Sequence, residues 1–349
     1  MIQSPVNGSV DKAREFLRDF YGRAVQRTED LQFGACCVDD GRSRFQEILD
    51  LIPEEVKSRQ YGCGSPIPME TLEGLSVLDL GSGAGTDSFI LSRLVGPAGR
   101  VVGIDMTDEQ LAVAQRNVSA VCGKFGYAAP NVDFRKDFIE TAESVEDESV
   151  DLAVSNCVIN LSPLKEHVFR SIWRVLRPGG EFYISDIVCD RRLPEEIRKD
   201  PLLYGECLAG ADYYNDLRDT MAAAGFRDVR EVSKRALEDK VGREGARFCS
   251  VTLRGFKLPE LDRRCEDYGQ FAEYLGTCGE SPVEFRLDGK HLFEAGRPVA
   301  ICRNTALMLS RTRLGRYFSV SPERKHFGLF DCSPSTAPPS GAVGPACCP

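Results

Sequence analysis

Histidine is scarce in this chain, with three in 349 residues, and tryptophan occurs once. No Cys-x-x-Cys pair occurs. Structural zinc modules use short Cys and His spacings, so both deficits argue against one, and no metal cofactor is expected. Positive charge is also in short supply. The chain has 44 Lys and Arg against 53 Asp and Glu, a net charge of -9. A surface built for a nucleic-acid backbone needs clustered cations, so nucleic acid is excluded as the main ligand. No stretch approaches the ~18 consecutive apolar residues of a membrane span. The start, "MIQSPVNGSVDKAREFL", has no basic segment leading into an apolar run. A soluble, cytoplasmic monomer without a membrane partner is expected.

Cysteine, by contrast, is abundant, with fourteen residues. In a long intracellular chain, reducing conditions favour ligand or redox roles over a disulfide framework. Cys63 stands out in "YGCGSPIP", between two glycines and ahead of two prolines. Glycine frees the backbone and proline removes donors, which predicts an exposed or cleft-lining loop with a reachable, mobile thiol.

Apolar residues at Val10, Ala13, Phe16, Leu17 and Phe20 recur at helical steps. The loop "LQFGACCVDD" follows, with the vicinal pair Cys36 and Cys37. From Ser76, short apolar runs alternate with helical patterns. "SVLDL", "RVVGID", "VDFRK", "VDLAVS" and "EFYISDIV" read as strands. Helices are expected near Asp87 to Leu94, Asp108 to Cys122, Lys165 to Val175, Glu195 to Leu208 and Leu217 to Ala224. This alternation predicts an α/β fold with a mostly parallel sheet. "FRDVREVS" and "RFCSVTLRGF" have no helix between them and read as a late antiparallel pair. We divide the chain into a helical and cysteine-loop segment (1–75), a sheet domain (76–256), a smaller α+β module (257–331) and a disordered Cys-containing tail (332–349).

In "VLDLGSGAGTD" a strand runs through Asp79 into Gly81, Ser82, Gly83 and Gly85 and then a helix. Such a turn lets a ligand approach the backbone, with helix N–H groups free to bind its polar atoms. The acid-x-Gly-x-Gly-x-Gly spacing resembles the first motif of class I S-adenosylmethionine-dependent methyltransferases, which implies their Rossmann-like sheet with helices on both faces. Two further signals agree: Asp105 in "VVGIDM", where a carboxylate can take ribose hydroxyls and Met106 follows, and a Pro-Gly-Gly turn in "LRPGGEFYISD". "KDFIE" occupies the position of the superfamily's adenine cradle, so Phe138, Ile139 and Glu140 are candidates there. Asn156 and Cys157 stand at the carboxyl end of the fourth strand, on the ligand edge.

"LQFGACC", "YGCGSPIP", "LDLGSGAGTD", "SNCVINLSP" and "LYGECLAGA" occur together in the order seen in arsenite S-adenosylmethionine methyltransferases, which this chain resembles from about residue 10 to 330. The resemblance implies methyl transfer from S-adenosylmethionine to trivalent arsenic, with arsenite or methylarsenite as substrate. It implies Cys63, Cys157 and Cys207 as the arsenic-binding thiolates. It also maps the family's redox cysteine onto Cys36, with Cys37 beside it. That thiol would form a disulfide with Cys63 that thioredoxin or glutathione reduces. A pyramidal trithiolate leaves a lone pair opposite the sulfurs and needs no general base. Cys122, Cys189, Cys249 and Cys265 read as core filler, and Cys347 with Cys348 as a thiol pair of open role. Two rival readings remain: a methyltransferase for a lipid or quinone, and a non-catalytic thiol protein that binds metalloids.

Overall fold

The computed structural model describes residues 9–32, 42–237 and 245–332. Three helices come first: α1 (Val10–Asp19), α2 (Gln46–Leu49) and α3 (Glu54–Lys57). α1 buries Ala13 and Leu17, as its spacing predicts. Then β1 (Ser76–Leu80), α4 (Thr86–Val95), β2 (Arg100–Asp105), α5 (Asp108–Lys124), β3 (Val132–Lys136) and β4 (Val150–Asn156) alternate. They are followed by α6 (Lys165–Val175), β5 (Leu176–Cys189), α7 (Glu195–Arg198), α8 (Pro201–Gly205), β6 (Asp212–Tyr213), α9 (Tyr214–Ala223), β7 (Arg230–Ala236) and β8 (Phe248–Phe256).

These strands form one sheet in the order β3-β2-β1-β4-β5-β8-β7, with β6 beside the end of β5. β1 to β5 are mutually parallel, whereas β8 runs antiparallel to both β5 and β7. The expected α/β sheet with a late reversed pair is therefore present. Apolar side chains of α4 and α5 pack on one face and those of α6 and α9 on the other, each forming a separate core. The strand order reverses between β1 and β4, and in such sheets that crevice binds ligands.

Two elements differ from expectation. The helix foreseen over Glu195 to Leu208 is split, because Pro201 begins α8 under an Asp200 side-chain cap to the Leu202 and Leu203 N–H groups. The Pro-Gly-Gly segment lies within β5 as an irregularity: Val150 pairs with Leu176 but Leu152 with Glu181. Gly179 there has a φ of 79°.

The chain continues through β9 (Glu266–Asp267), β10 (Gln270–Tyr274), β11 (Glu284–Arg286), β12 (Leu292–Glu294), β13 (Val299–Ile301), α10 (Arg303–Arg311), β14 (Phe318–Val320) and β15 (Gly328–Leu329). They form three small sheets around an apolar core that includes Phe256 of β8. Among the described residues, no helix is long and apolar enough to cross a membrane.

Candidate active site

A cleft opens beyond the carboxyl ends of β1, β2 and β4. Asp79, Gly81, Ser82, Gly83, Asp105, Met106, Phe138, Ile139, Glu140 and Asn156 all line it. Gly83 has a φ of 52°, and its N–H donates to Asp105 Oδ2 at 2.9 Å. The Thr107 N–H donates to Asp105 Oδ1 at 2.8 Å, so both carboxylate oxygens are aimed from the loops around the cleft. Gly85 is different. It opens α4 outside the cleft lining, and a Cβ there would stand 2.6 Å from the Phe134 ring. Packing and a φ of 95° together require glycine at that position.

Burial, reinforced by Asp87 alongside, pushes the Asp79 carboxyl up to about 7; the Ser88 hydroxyl, donating at 2.5 Å, opposes the rise. Burial also raises Asp105, against the backbone donors from Thr107 and Gly83. Ser82 Oγ and Gln110 Oε1 are buried without a hydrogen-bond partner, and both residues line the cleft. Such orphaned polar atoms cost free energy unless a ligand satisfies them. Together with the acids, they fit a polar, cationic guest.

The cleft has a cover that the sequence did not reveal. Arg14 and Tyr21, from α1 and the turn after it, line it. The Arg14 guanidinium stacks 3.9 Å over the Phe138 ring and pairs with Glu140 at 3.2 Å. Gln110 Nε2 donates to the Tyr21 carbonyl at 2.7 Å.

Thiols converge at the inner end of this cleft. Ligand atoms of Cys63, Cys157 and Asp186 lie within 4.8 Å of one another, all buried. Cys157 also lines the cleft. The Cys207 thiol donates to the Cys157 carbonyl at 2.8 Å, which brings the third candidate against the second, although its sulfur stands outside the Cys63–Cys157–Asp186 group. Cys157 and Cys207 have φ of 59° and 64°, two of four non-glycine residues at positive φ among those described. Left-handed backbone at a residue with a Cβ costs about 1 kcal/mol or more. Both strained turns are held from outside. Asp186 Oδ2 accepts the Ile159 and Asn160 N–H groups just after Cys157, and Asn160 Nδ2 donates to the Cys207 carbonyl at 3.2 Å.

The Cys63 loop lines the cleft through Tyr61 and Gly62, but it is not exposed at the thiol. Cys63 is only 3% exposed, so its thiol is not on an open loop. Its glycines also have a packing role. A Cβ on Gly62 would stand 2.3 Å from the Asn156 side chain, and one on Gly64 2.6 Å from Ser185. Glycine lets the loop press onto the strand ends. Asn156 Oδ1 accepts the Cys63 and Gly64 N–H groups at 3.1 and 3.3 Å, Nδ2 donates to the Gly64 carbonyl at 2.7 Å, and Ser250 Oγ donates to the Cys63 carbonyl at 2.8 Å. Asn156 thus borders the cleft and clamps a thiol loop.

Asp186 was missed by sequence reasoning, although an acid inside the apolar run "YISDIV" was a signal, since burying a carboxylate is costly. Burial pushes it up to about 6, opposed by the Ile187 N–H and Lys165. Cys36, Cys37, Cys347 and Cys348 lie outside the described residues. Cys122 and Cys189 are buried as expected. Cys249 is more than filler, being disulfide-bonded, and the half-buried Cys265 joins a second thiol cluster described below.

A family model described as a methyltransferase domain matches residues 72–225. An arsenite methyltransferase of Aquipseudomonas alcaligenes is 44% identical over 91% of this chain and 93% of its own length. The Homo sapiens arsenite methyltransferase is 38% identical over 88% of this chain and 83% of its own. The crystal structure of an arsenic(III) S-adenosylmethionine methyltransferase from Chlamydomonas reinhardtii superposes with a TM-score of 0.78 at 42% identity, covering 82% of this chain and 98% of that one. With these likenesses over most of its length, the chain belongs to the arsenite methyltransferase family.

Proposed function

We propose that this protein methylates trivalent arsenic held by Cys63, Cys157 and Cys207, with S-adenosylmethionine as donor. One observation carries the reading: Cys157 belongs both to the cleft lining and to the converging thiols. The three thiols exchange with the hydroxyls of arsenite, releasing water and leaving the arsenic lone pair opposite the sulfurs. Asp79, Ser82, Gly83, Asp105, Met106 and Gln110 are the residues to hold the donor, with Phe138, Ile139 and Glu140 around its base. When bound, S-adenosylmethionine supplies an electrophilic methyl group. The strained turns at Cys157 and Cys207 hold their backbones beside each other, and the Cys207 thiol turns from the Cys157 carbonyl to complete the set. Proximity and alignment of this kind are worth about 7–11 kcal/mol of a barrier.

Each transfer leaves arsenic oxidised by two electrons. Cys36 with Cys63 is the dithiol assigned to returning them, with thioredoxin or glutathione restoring the pair. A cytoplasmic setting is expected, where such reductants are present. The protein is expected to act as a monomer.

Methyl transfer from labelled S-adenosylmethionine to arsenite, with products separated by arsenic speciation, tests the reading. Methylated arsenic is the expected product. Its absence from a folded, cofactor-binding protein overturns the assignment and points to lipid or quinone acceptors.

Two further outcomes are expected. Gly64→Ala drives a Cβ into Ser185 and displaces Cys63, so methyl transfer falls at least about a hundredfold. Cofactor affinity, measured by calorimetry, stays unchanged because Gly64 lies outside the cleft lining. The second concerns Asp79, whose carboxyl burial raises to about 7. A cationic donor favours its ionised form, so binding releases a proton. Affinity then tightens by up to about tenfold per pH unit below 7 and levels off above it. Asp79→Asn flattens that profile, as titration between pH 5.5 and 8 would reveal.

A further inference from the structure

A second group of thiols lies outside the methylation site. β9 and β15 are antiparallel, with Leu329 opposite Glu266, and the Phe330 N–H donates to the Cys265 carbonyl at 2.7 Å. This short ladder brings Cys265, just before β9, beside Cys332, just after β15. Cys302 completes the set as the N-cap of α10, where its sulfur accepts the Thr305 N–H at 3.5 Å. The three sulfurs lie within 4.8 Å of one another. Cys302 is fully buried and the other two half-buried, so the cluster is reachable from one side. The sequence reading assigned Cys332 to the tail and Cys265 to the core; the structure joins them across the module.

The surroundings favour sulfur as a ligand. The Cys302 sulfur lies 3.3 Å from the Thr305 hydroxyl, a polar contact inside the buried module. Arg230 Nη2 donates to Thr305 Oγ1 at 3.2 Å. Among the described residues, no fourth His, Cys, Asp or Glu joins the three. A structural zinc site is almost always completed by four protein ligands. Trivalent arsenic is complete with three sulfurs, its lone pair filling the fourth direction.

We propose that Cys265, Cys302 and Cys332 form a second, non-catalytic site that takes inorganic arsenite as a trithiolate. The inference rests on the proposed function in one respect: arsenite is the thiophile this chain handles. Three As–O bonds break and three As–S bonds form, each thiol proton leaves with a hydroxyl as water, and arsenic stays trivalent. No oxidant or reductant is needed. The site also selects its guest, because methylarsenite has only two exchangeable hydroxyls and satisfies two sulfurs. It therefore takes the unmethylated substrate in preference to the products.

The test is arsenic stoichiometry on the full-length protein, reduced with a phosphine, equilibrated with arsenite, gel-filtered and analysed for arsenic per chain. Cys265→Ser/Cys302→Ser/Cys332→Ser is expected to carry one arsenic fewer than wild type while still methylating arsenite, which also shows that it is folded. Cys332→Ser alone, at a half-exposed position, is expected to lose the same equivalent. The Cys63→Ser/Cys157→Ser/Cys207→Ser variant keeps the C-terminal equivalent but loses activity. Equal arsenic in wild type and both C-terminal variants overturns the proposal. So does a purified protein carrying one zinc that the C-terminal variants lack, with arsenic content unchanged. If wild type methylates no arsenic yet the C-terminal equivalent persists, the function fails and this site stands.

Discussion

Cys157→Ser is expected to lower arsenite methylation at least about a hundredfold while leaving S-adenosylmethionine affinity and melting temperature unchanged. Serine is nearly isosteric and keeps the turn, but an As–O bond is readily returned to water where an As–S bond is not. Arsenic bound by two sulfurs then loses the fixed direction of its lone pair. The backbone supplies a control. Because Cys157 holds a φ of 59°, Cys157→Gly relieves strain of about 1 kcal/mol, roughly offsetting the loss of a small buried side chain. It should be as inactive as the serine variant yet no less stable. Cys207→Gly, at a φ of 64°, should match it. Methylation at wild-type rate in either serine or glycine variant at position 157 removes that thiol from the reaction. A glycine variant distinctly less stable than the serine variant shows that the strained turn is held by the thiol itself.

The first strands of the large sheet were legible as short runs bounded by turn signals: "SVLDL", "RVVGID" and "VDFRK" are β1, β2 and β3 as they stand. The glycine loop was legible for the same local reason. What the sequence could not convey was anything carried by distant partners. Cys63 looked exposed because glycine and proline imply an open loop, yet its burial depends on Asn156 and Ser185, which arrive from β4 and β5. The role of α1 as a cover was hidden, because its periodicity shows a buried face without saying what it is buried against. The Cys265, Cys302 and Cys332 cluster forms only when β9 and β15 pair and α10 packs beneath them. Cys157 and Cys207 were singled out through their motifs, whereas their backbone strain belongs to the folded turns alone.

Arg254→Ala is expected to cost about 3–5 kcal/mol of stability, a large share of the total for a natural fold. Arg254 is completely buried in β8, with Nε donating to Glu181 Oε2 at 2.6 Å and Nη1 to Glu70 Oε1 at 2.8 Å. Arg313, in the turn after α10, pairs with the other oxygen of each acid. Two arginines and two glutamates therefore close a neutral square joining β5, β8, the segment before β1 and the C-terminal module. Deleting one arginine strands a negative charge in the interior. Glu70 registers the balance: burial opposes its ionisation, but Arg254 and Arg313 overcome that and hold it at about 2, against an ordinary 4.5. A depressed carboxylate stabilises the fold above its unfolded pKa, so this contribution is present above about pH 4.5 and is lost as pH falls toward 2. Thermal melts from pH 7 down to 3 should show this acid sensitivity in wild type and little of it in Arg254→Ala. Arg254→Met combined with Glu181→Leu leaves Arg313 paired with Glu70 in a neutral interior and should recover most of the loss. Failure to recover would mean that the square stabilises by shape rather than charge. Because Glu70 closes the same segment that carries Cys63, the single variant should also lose methylation at temperatures where it is still folded, and the double variant should regain it.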